Sequence, residues 1–502
     1  MSGPDGMQEV ELVVLDESIP GTSAPEGTAH RSGPDGDADR RRRRRRAVLR
    51  WWPLGAVAVA AALGTEVLLD ARERSRVAAA REVPGVVGYD VRPDLTAHPA
   101  DPELPTSGGA AVGDLRVQGA EPVPGEPRAV VAVDARSGDE VWRTEVEDAA
   151  RAAEITTIDP PWCSAGDPPV DQVVCVVQDR PSTDLGDGSF QMDPPLRTRL
   201  LGFDPRSGAV TAERELAPLA SAHVVDGDLL LVEVVGDDVR VAAEDPATGA
   251  VRWESVVRAA PRAYDDTPGM RATEAHVLVQ LLGQSWAFDR ADGRLEVSGD
   301  GQLWVGRDER LMSTAPDGIT ARLHGADGSG DVATRGTPVV LDVDDGSVPG
   351  LDLLADSSGP DRALRAVDPA TGEQVWQYAL AGTEGSAFLL LHDVLYGGDS
   401  EAVWAVDARD GREIWRTPRE DGDPADVEWV SGWLNLVTDG RQLLLAESLG
   451  EPEDDTPAVL HAWSLTSGAH RWTAPLPPEA GGYVSVREHT LTGTWADPVV
   501  LR

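Results

Sequence analysis

The sequence predicts an all-β chain built as a β-propeller: one short motif recurs seven times without gaps, several copies stand about forty residues apart, and Trp 15 outweighs Tyr 5 and Phe 4. The copies read AVDARSGDEVW, GFDPRSGAVTA, AEDPATGAVRW, AFDRADGRLEV, AVDPATGEQVW, AVDARDGREIW and AWSLTSGAHRW. The leading acidic position is Asp134, Asp204, Asp245, Asp289, Asp368 and Asp407, with Ser464 in the last copy. Four residues on, every copy has glycine: Gly138, Gly208, Gly249, Gly293, Gly372, Gly411 and Gly468. Two residues before, every copy has alanine or glycine, and eight residues on stand Trp142, Trp253, Trp376, Trp415 and Trp472, with Ala212 and Val297 in the two remaining copies.

Each copy reads as a β-hairpin. An apolar strand ends at the aspartate, whose side chain accepts turn N–H groups, and glycine supplies the positive φ that reverses the chain. A second strand then carries the tryptophan. The hairpin is expected to be the outer half of a four-stranded blade, with the indole laid across the adjacent blade. Alternating segments upstream, such as His223–Val235 and Ala387–Gly398, supply inner halves.

Successive motif positions are separated by 70, 41, 44, 79, 39 and 57 residues. Values near 40 are one blade. The gap of 79 predicts a degenerate copy, with Arg322–Gly328 as the candidate, and the gaps of 70 and 57 predict insertions at 146–198 and 417–457. Eight blades are expected, seven being the alternative. The last 38 residues should add inner strands that pair with the first hairpin near Val130 and close the ring.

The N-terminal side reads differently. Residues 1–46 form an acidic tail, expected to be disordered and cytoplasmic, ending in the arginine run Arg40–Arg46. Residues 47–69 hold an apolar stretch from Trp51 to Leu69, interrupted by Glu66 and long enough for one transmembrane helix. The arginines should keep the N-terminus inside and place the remainder outside the cytoplasm, on a single-pass anchor in the cell membrane. A cleaved export signal around Arg45–Arg50 is the alternative. Residues 70–107 read as a short charged helix followed by a Pro/Gly-rich linker, and 108–502 as the propeller.

The motif A-x-D-x-x-T/S-G-x-x-x-W resembles the tryptophan-docking repeat of the pyrroloquinoline quinone (PQQ)-like propellers, the quinoprotein alcohol dehydrogenase-like family. The resemblance covers roughly Gly108 to Arg502 and implies a fold more than an activity, because the repeat is a packing device. A PQQ-dependent dehydrogenase of that family would bring adjacent cysteines over the cofactor, with Glu, Asn and Asp around calcium. Here Cys163 and Cys175 are the only cysteines and stand twelve residues apart. They are expected to form a disulfide stapling the first insertion in an oxidising compartment.

Other chemistry finds little support. The formal charge of −41 repels phosphate backbones, so nucleic acid is not an expected partner. All 45 basic residues are arginine, which excludes lysine nucleophiles and Schiff bases. No histidine pair has zinc spacing and no glycine-rich loop has phosphate-binding context. Leu341–Ala355 is similar to propeller calcium loops, with Asp342, Asp344, Asp345 and Asp352 as candidate ligands, although its spacing departs from theirs. No catalytic residue is assigned, and no cofactor is expected, PQQ or calcium being the alternatives. The expectation is a non-catalytic binding or scaffolding module that takes a protein or small-molecule ligand at the propeller mouth. A quinoprotein-type oxidoreductase, or another propeller enzyme with an unrecognised site, is the alternative.

Overall fold

Each motif copy closes the outer hairpin of an antiparallel sheet. In the first sheet Gly109–Val112, Leu115–Gly119, Ala129–Asp134 and Glu140–Glu145 pair in chain order, from innermost strand A to outermost strand D. The computed structural model describes residues 71–502 apart from 100–108, 121–125, 135–136, 148–159, 166–171, 185–189, 260–266, 282, 326–330, 357–361, 382–386, 400, 420–434, 448–457, 482–483, 488 and 494–498. The expected transmembrane segment and cytoplasmic tail lie outside these residues. Among the described residues no helix is long and apolar enough to cross a membrane.

The small residue before the aspartate sits opposite the tryptophan across the C–D pair, as in Ala132 to Trp142, Ala366 to Trp376 and Ala405 to Trp415. A bulge follows at once and turns the chain into the loop. There the aspartate works as a cap. Asp245 accepts the backbone N–H and hydroxyl of Thr248, both at 2.8 Å, and these bonds, the hydroxyl foremost, hold its carboxyl below the usual range. The motif glycines all take positive φ, from 66° to 74°, where a Cβ would be strained.

Nine such sheets occur among the described residues, which corrects the expectation of eight blades, or seven. The gap between Asp289 and Asp368 does hold an extra blade, the fifth, built from Gln302–Val305, Leu311–Thr314, Thr320–Leu323 and Val332–Arg335. The ninth escapes the motif because it has no C–D hairpin. Val484–Arg487, Thr490–Gly493 and Val499–Leu501 supply strands A to C, and Ala97–Pro99 arrives from the N-terminal side as strand D. Val130 instead pairs within its own blade, with Gly119 and Thr144. Consecutive blades share apolar seams: Val232, Trp253, Val277 and Phe288 join blades 3 and 4, and Leu444, Leu460, Val484 and Leu501 join blades 8 and 9.

Strand alternation gives the propeller two unlike faces. The A–B and C–D turns lie on one, the turn face; the B–C and D–A connections lie on the other, the connection face. Residues 73–99, read from sequence mainly as linker, belong to the same compact unit as the blades and strap the turn face. The helix over 71–81 buries Val77 and Ala80 against the A–B turn of blade 8, where a Cβ on Gly440 would lie 3.1 Å from that of Ala80. Val87 N–H then donates to Thr438 O at 2.8 Å, Val91 N–H to the Asp439 carboxylate at 3.1 Å, and Gly88 N–H to His489 O in blade 9 at 2.7 Å.

Blade 6 is unusual. Its innermost strand is only Thr337–Pro338; the chain then leaves it, and Val343–Asp344 pairs in parallel with Ala387–Leu391 as a fifth, innermost strand of blade 7.

Candidate functional site

The motif residues do structural work at the blade seams. Trp142, Trp253, Trp376 and Trp415 donate their indole N–H to Pro205, Arg290, Ala408 and Leu465 carbonyls at 2.9, 2.9, 2.9 and 3.0 Å, in each case the residue after the next blade's Asp or Ser. Each ring covers that blade's motif glycine, so a Cβ on Gly208, Gly293, Gly411 or Gly468 would meet it at 2.3 to 2.9 Å. Trp472 differs. The ninth blade offers no motif turn, and its N–H goes to Gln442 Oε1 in its own blade at 2.8 Å.

A hydroxyl two residues after the tryptophan adds a second tie that sequence reading missed. Thr144 and Thr417 donate to Gly208 and Gly468 carbonyls at 2.8 and 2.7 Å, and Ser255 donates to that of Gly293. The signal was present as W-x-T or W-x-S. We expect Gly468→Ala to destabilise the protein by more than Gly138→Ala. Both sit at positive φ, costing about 1–2 kcal/mol for a residue with a side chain, but only Gly468 has an indole against it, while no atom lies within 4 Å of a Cβ on Gly138. Urea unfolding of both variants checks the order; equal losses would contradict the docking geometry.

The cysteines form the expected disulfide, at a different place. Cys163 and Cys175 face each other across the A–B pair of blade 2, with Cα atoms 4.0 Å apart and both side chains in the seam with blade 1. They staple inner strands; the long connections leave elsewhere. This arrangement does not fit the adjacent-cysteine element of the PQQ enzymes, and we derive no step through that cofactor.

The acidic loop separates its carboxylates. Asp344 faces Arg307, with Nε–Oδ2 at 2.6 Å and Nη2–Oδ1 at 2.9 Å. Asp345 accepts the backbone N–H of Ser347 at 3.0 Å and that of His392. Asp352 is buried in strand B of blade 6 near Arg310, and burial raises the carboxyl of Asp342. Among the described residues no group of three or more His, Cys, Asp or Glu is placed to hold a metal ion.

The sharpest polar constellation lies between blades 7 and 8. Thr417, Pro418, Arg419, Glu447, His461, Trp463, His470 and Thr473 line a cavity of about 100 Å³. Arg419 pairs with Glu447, whose other oxygen is 3.3 Å from His461 Nε2. His461 Nδ1 and His470 Nε2 each lie 3.0 Å from Thr473 Oγ1. The chain Arg–Glu–His–Thr–His could relay a proton, yet the cavity is well below the about 300–1,000 Å³ that small-molecule sites occupy. It has the size of one side chain. Its rim lies where strand D of blade 7 ends at Pro418 and strand B of blade 8 at Glu447, on the connection face.

The model of one protein family, described as outer membrane protein assembly factor BamB, matches residues 197–394 and 353–500. Among solved structures, BamB from Moraxella catarrhalis is similar at 18% identity and TM-score 0.37, covering 81% of this chain and 97% of its own. A quinohemoprotein alcohol dehydrogenase from Comamonas testosteroni is similar at 11% identity and TM-score 0.36, covering 82% and 76%. A europium-containing methanol dehydrogenase is similar at 11% identity and TM-score 0.35, covering 68% and 73%. No curated protein sequence matches the chain.

Proposed function

Since the chain belongs to the PQQ-like propeller family whose model is described as outer membrane protein assembly factor BamB, we propose that it is a non-catalytic scaffold, tethered to the cell membrane and held outside the cytoplasm, that binds a protein partner on its connection face. The observation that carries this reading is the opposition of the two faces. The strap, residues 73–99, lies along the turn face and leaves the connection face open to a partner. The cavity between blades 7 and 8 opens on that connection face. The chain's formal charge of −41 suits a basic partner and steers its approach. The cavity would take one side chain of that partner, and the Asp, Gly and Trp of the repeats are spent on turns and docking.

Site-specific photocrosslinking in intact cells tests the reading. A crosslinker at Glu453 should yield a defined protein adduct that one at Asp114, in an A–B turn, does not. The E451Q/E453Q/D454N/D455N variant should weaken the adduct from a crosslinker placed at Pro452. Adducts from the turn face alone would defeat the assignment of faces. Dye reduction by the purified chain supplied with PQQ, calcium and an alcohol would defeat the non-catalytic reading.

A further inference from the structure

A propeller leaves an opening along its axis, lined by the A strands, and the opening widens as blades are added. This chain places backbone there. Val343–Asp344 pairs with strand A of blade 7 on the side away from strand B, which is the axial side. Asp342 N–H and Asp345 N–H donate to Phe388 and Leu390 carbonyls at 3.1 and 3.3 Å, and Ser347 Oγ accepts from Asp393 N–H at 2.8 Å. Val343 is buried with Ala80 and Val86 of the strap.

What holds the other side of the segment is Arg307, in the A–B turn of blade 5. Its guanidinium spans Asp344 by two bonds and also donates to Val348 O at 2.5 Å and Leu351 O at 3.3 Å. Four oxygens thus surround one cation that the chain itself supplies from two blades away. Of the four aspartates that read from sequence as candidate calcium ligands, Asp344 is thus turned onto a guanidinium. Bidentate, charge-assisted bonds of this kind fix orientation as well as energy.

We propose that residues 339–351 are a plug, latched by Arg307, that closes the axial passage to the turn face and leaves access to it from the connection face alone. The plug stands whatever partner the connection face takes. It also accounts for the two-residue inner strand of blade 6: the chain that would complete that strand is used to fill the axis.

The test is hydrogen exchange on the full chain and its Arg307→Ala variant. The Asp342 and Asp345 amides should exchange about tenfold faster or more in the variant, because the lost bonds to a charged group set the local opening equilibrium. Amides of the docked turn Ala408–Gly411 should not change, which separates local release from misfolding. Low-millimolar guanidinium chloride should restore protection in the variant, and equal sodium chloride should not. Unchanged exchange at 342–345, a uniform rise throughout the blades, or restoration by sodium chloride would overturn the latch. So would protection in the unsubstituted chain that appears only when calcium is added, since the oxygens would then belong to the metal.

Discussion

Replacing Arg128 by alanine is expected to cost about 3–5 kcal/mol of stability, the range for breaking a buried ion pair from one side. Arg128 opens strand C of blade 1 on the connection face and is only 4% exposed in its side chain; Glu147 and Asp179 beside it are 3% and 1% exposed. The guanidinium meets Glu147 at 2.8 and 3.3 Å, donates to Gln178 O at 2.6 Å and pairs with Asp179 in blade 2. Arg128 thus meets two carboxylates removed from water, and its loss takes that compensating charge out of a low-dielectric seam. The R128M/E147Q/D179N triple variant should recover most of the loss, because the charges are then absent altogether. Urea unfolding measures both, and a loss below about 1 kcal/mol for Arg128→Ala would show that water reaches the seam.

The second large effect concerns the strap. A chain beginning at Gly108, where the motif pattern places the start of the propeller, is expected not to fold. Val77, Ala80, Val86, Val87 and Val91 are all 3% exposed or less. Four buried valines alone represent about 6–12 kcal/mol of transfer free energy at about 1.5–3 kcal/mol each, similar to the whole net stability of an ordinary domain, about 5–15 kcal/mol. Removing them also strips strand D from blade 9. A chain beginning at Glu73 should give a β-type circular dichroism spectrum and cooperative unfolding; the one beginning at Gly108 should be aggregated or lack blades 8 and 9 to proteolysis. Equal stability of the two would mean that the strap rests on the blades without supporting them.

The outer hairpins were legible because each needs the same few residue types at fixed offsets: a cap at Asp245, a positive φ at Gly249, a flat ring at Trp253. Blade 9 was not, because its outer strand is brought in from residues 97–99 and needs no turn. The strap was hidden for a related reason. Its valines stand singly among Pro, Gly and Asp, and a segment that lies across turns, exchanging bonds with each in passing, has neither helical nor strand period. Cys163 and Cys175 were legible as a pair, but their twelve-residue spacing could not reveal that a strand turn lies between them. The acidic loop was misleading for a chemical reason. Oxygen donors at close spacing suit any cation, and nothing near Asp344 in sequence announces that Arg307 fills that role. For the cavity between blades 7 and 8, His461, His470 and Glu447 come from three strands, so no spacing could have joined them.

The dependence of blade 9 on Ala97–Pro99 sets an order of events. The sheet that unites the first and last ordered strands cannot be completed until residues 484–501 have been made, while every earlier four-stranded unit can assemble from neighbours in sequence. Joining partners some 400 residues apart is the step with the greatest loop-closure penalty and so the slowest. Until it happens, the hydrogen-bonding edge of Val499–Leu501 stays available to other chains. A nascent molecule is therefore most prone to self-association in its final moments of maturation, and the cell compartment that receives it must tolerate an open circle before it holds a sealed one.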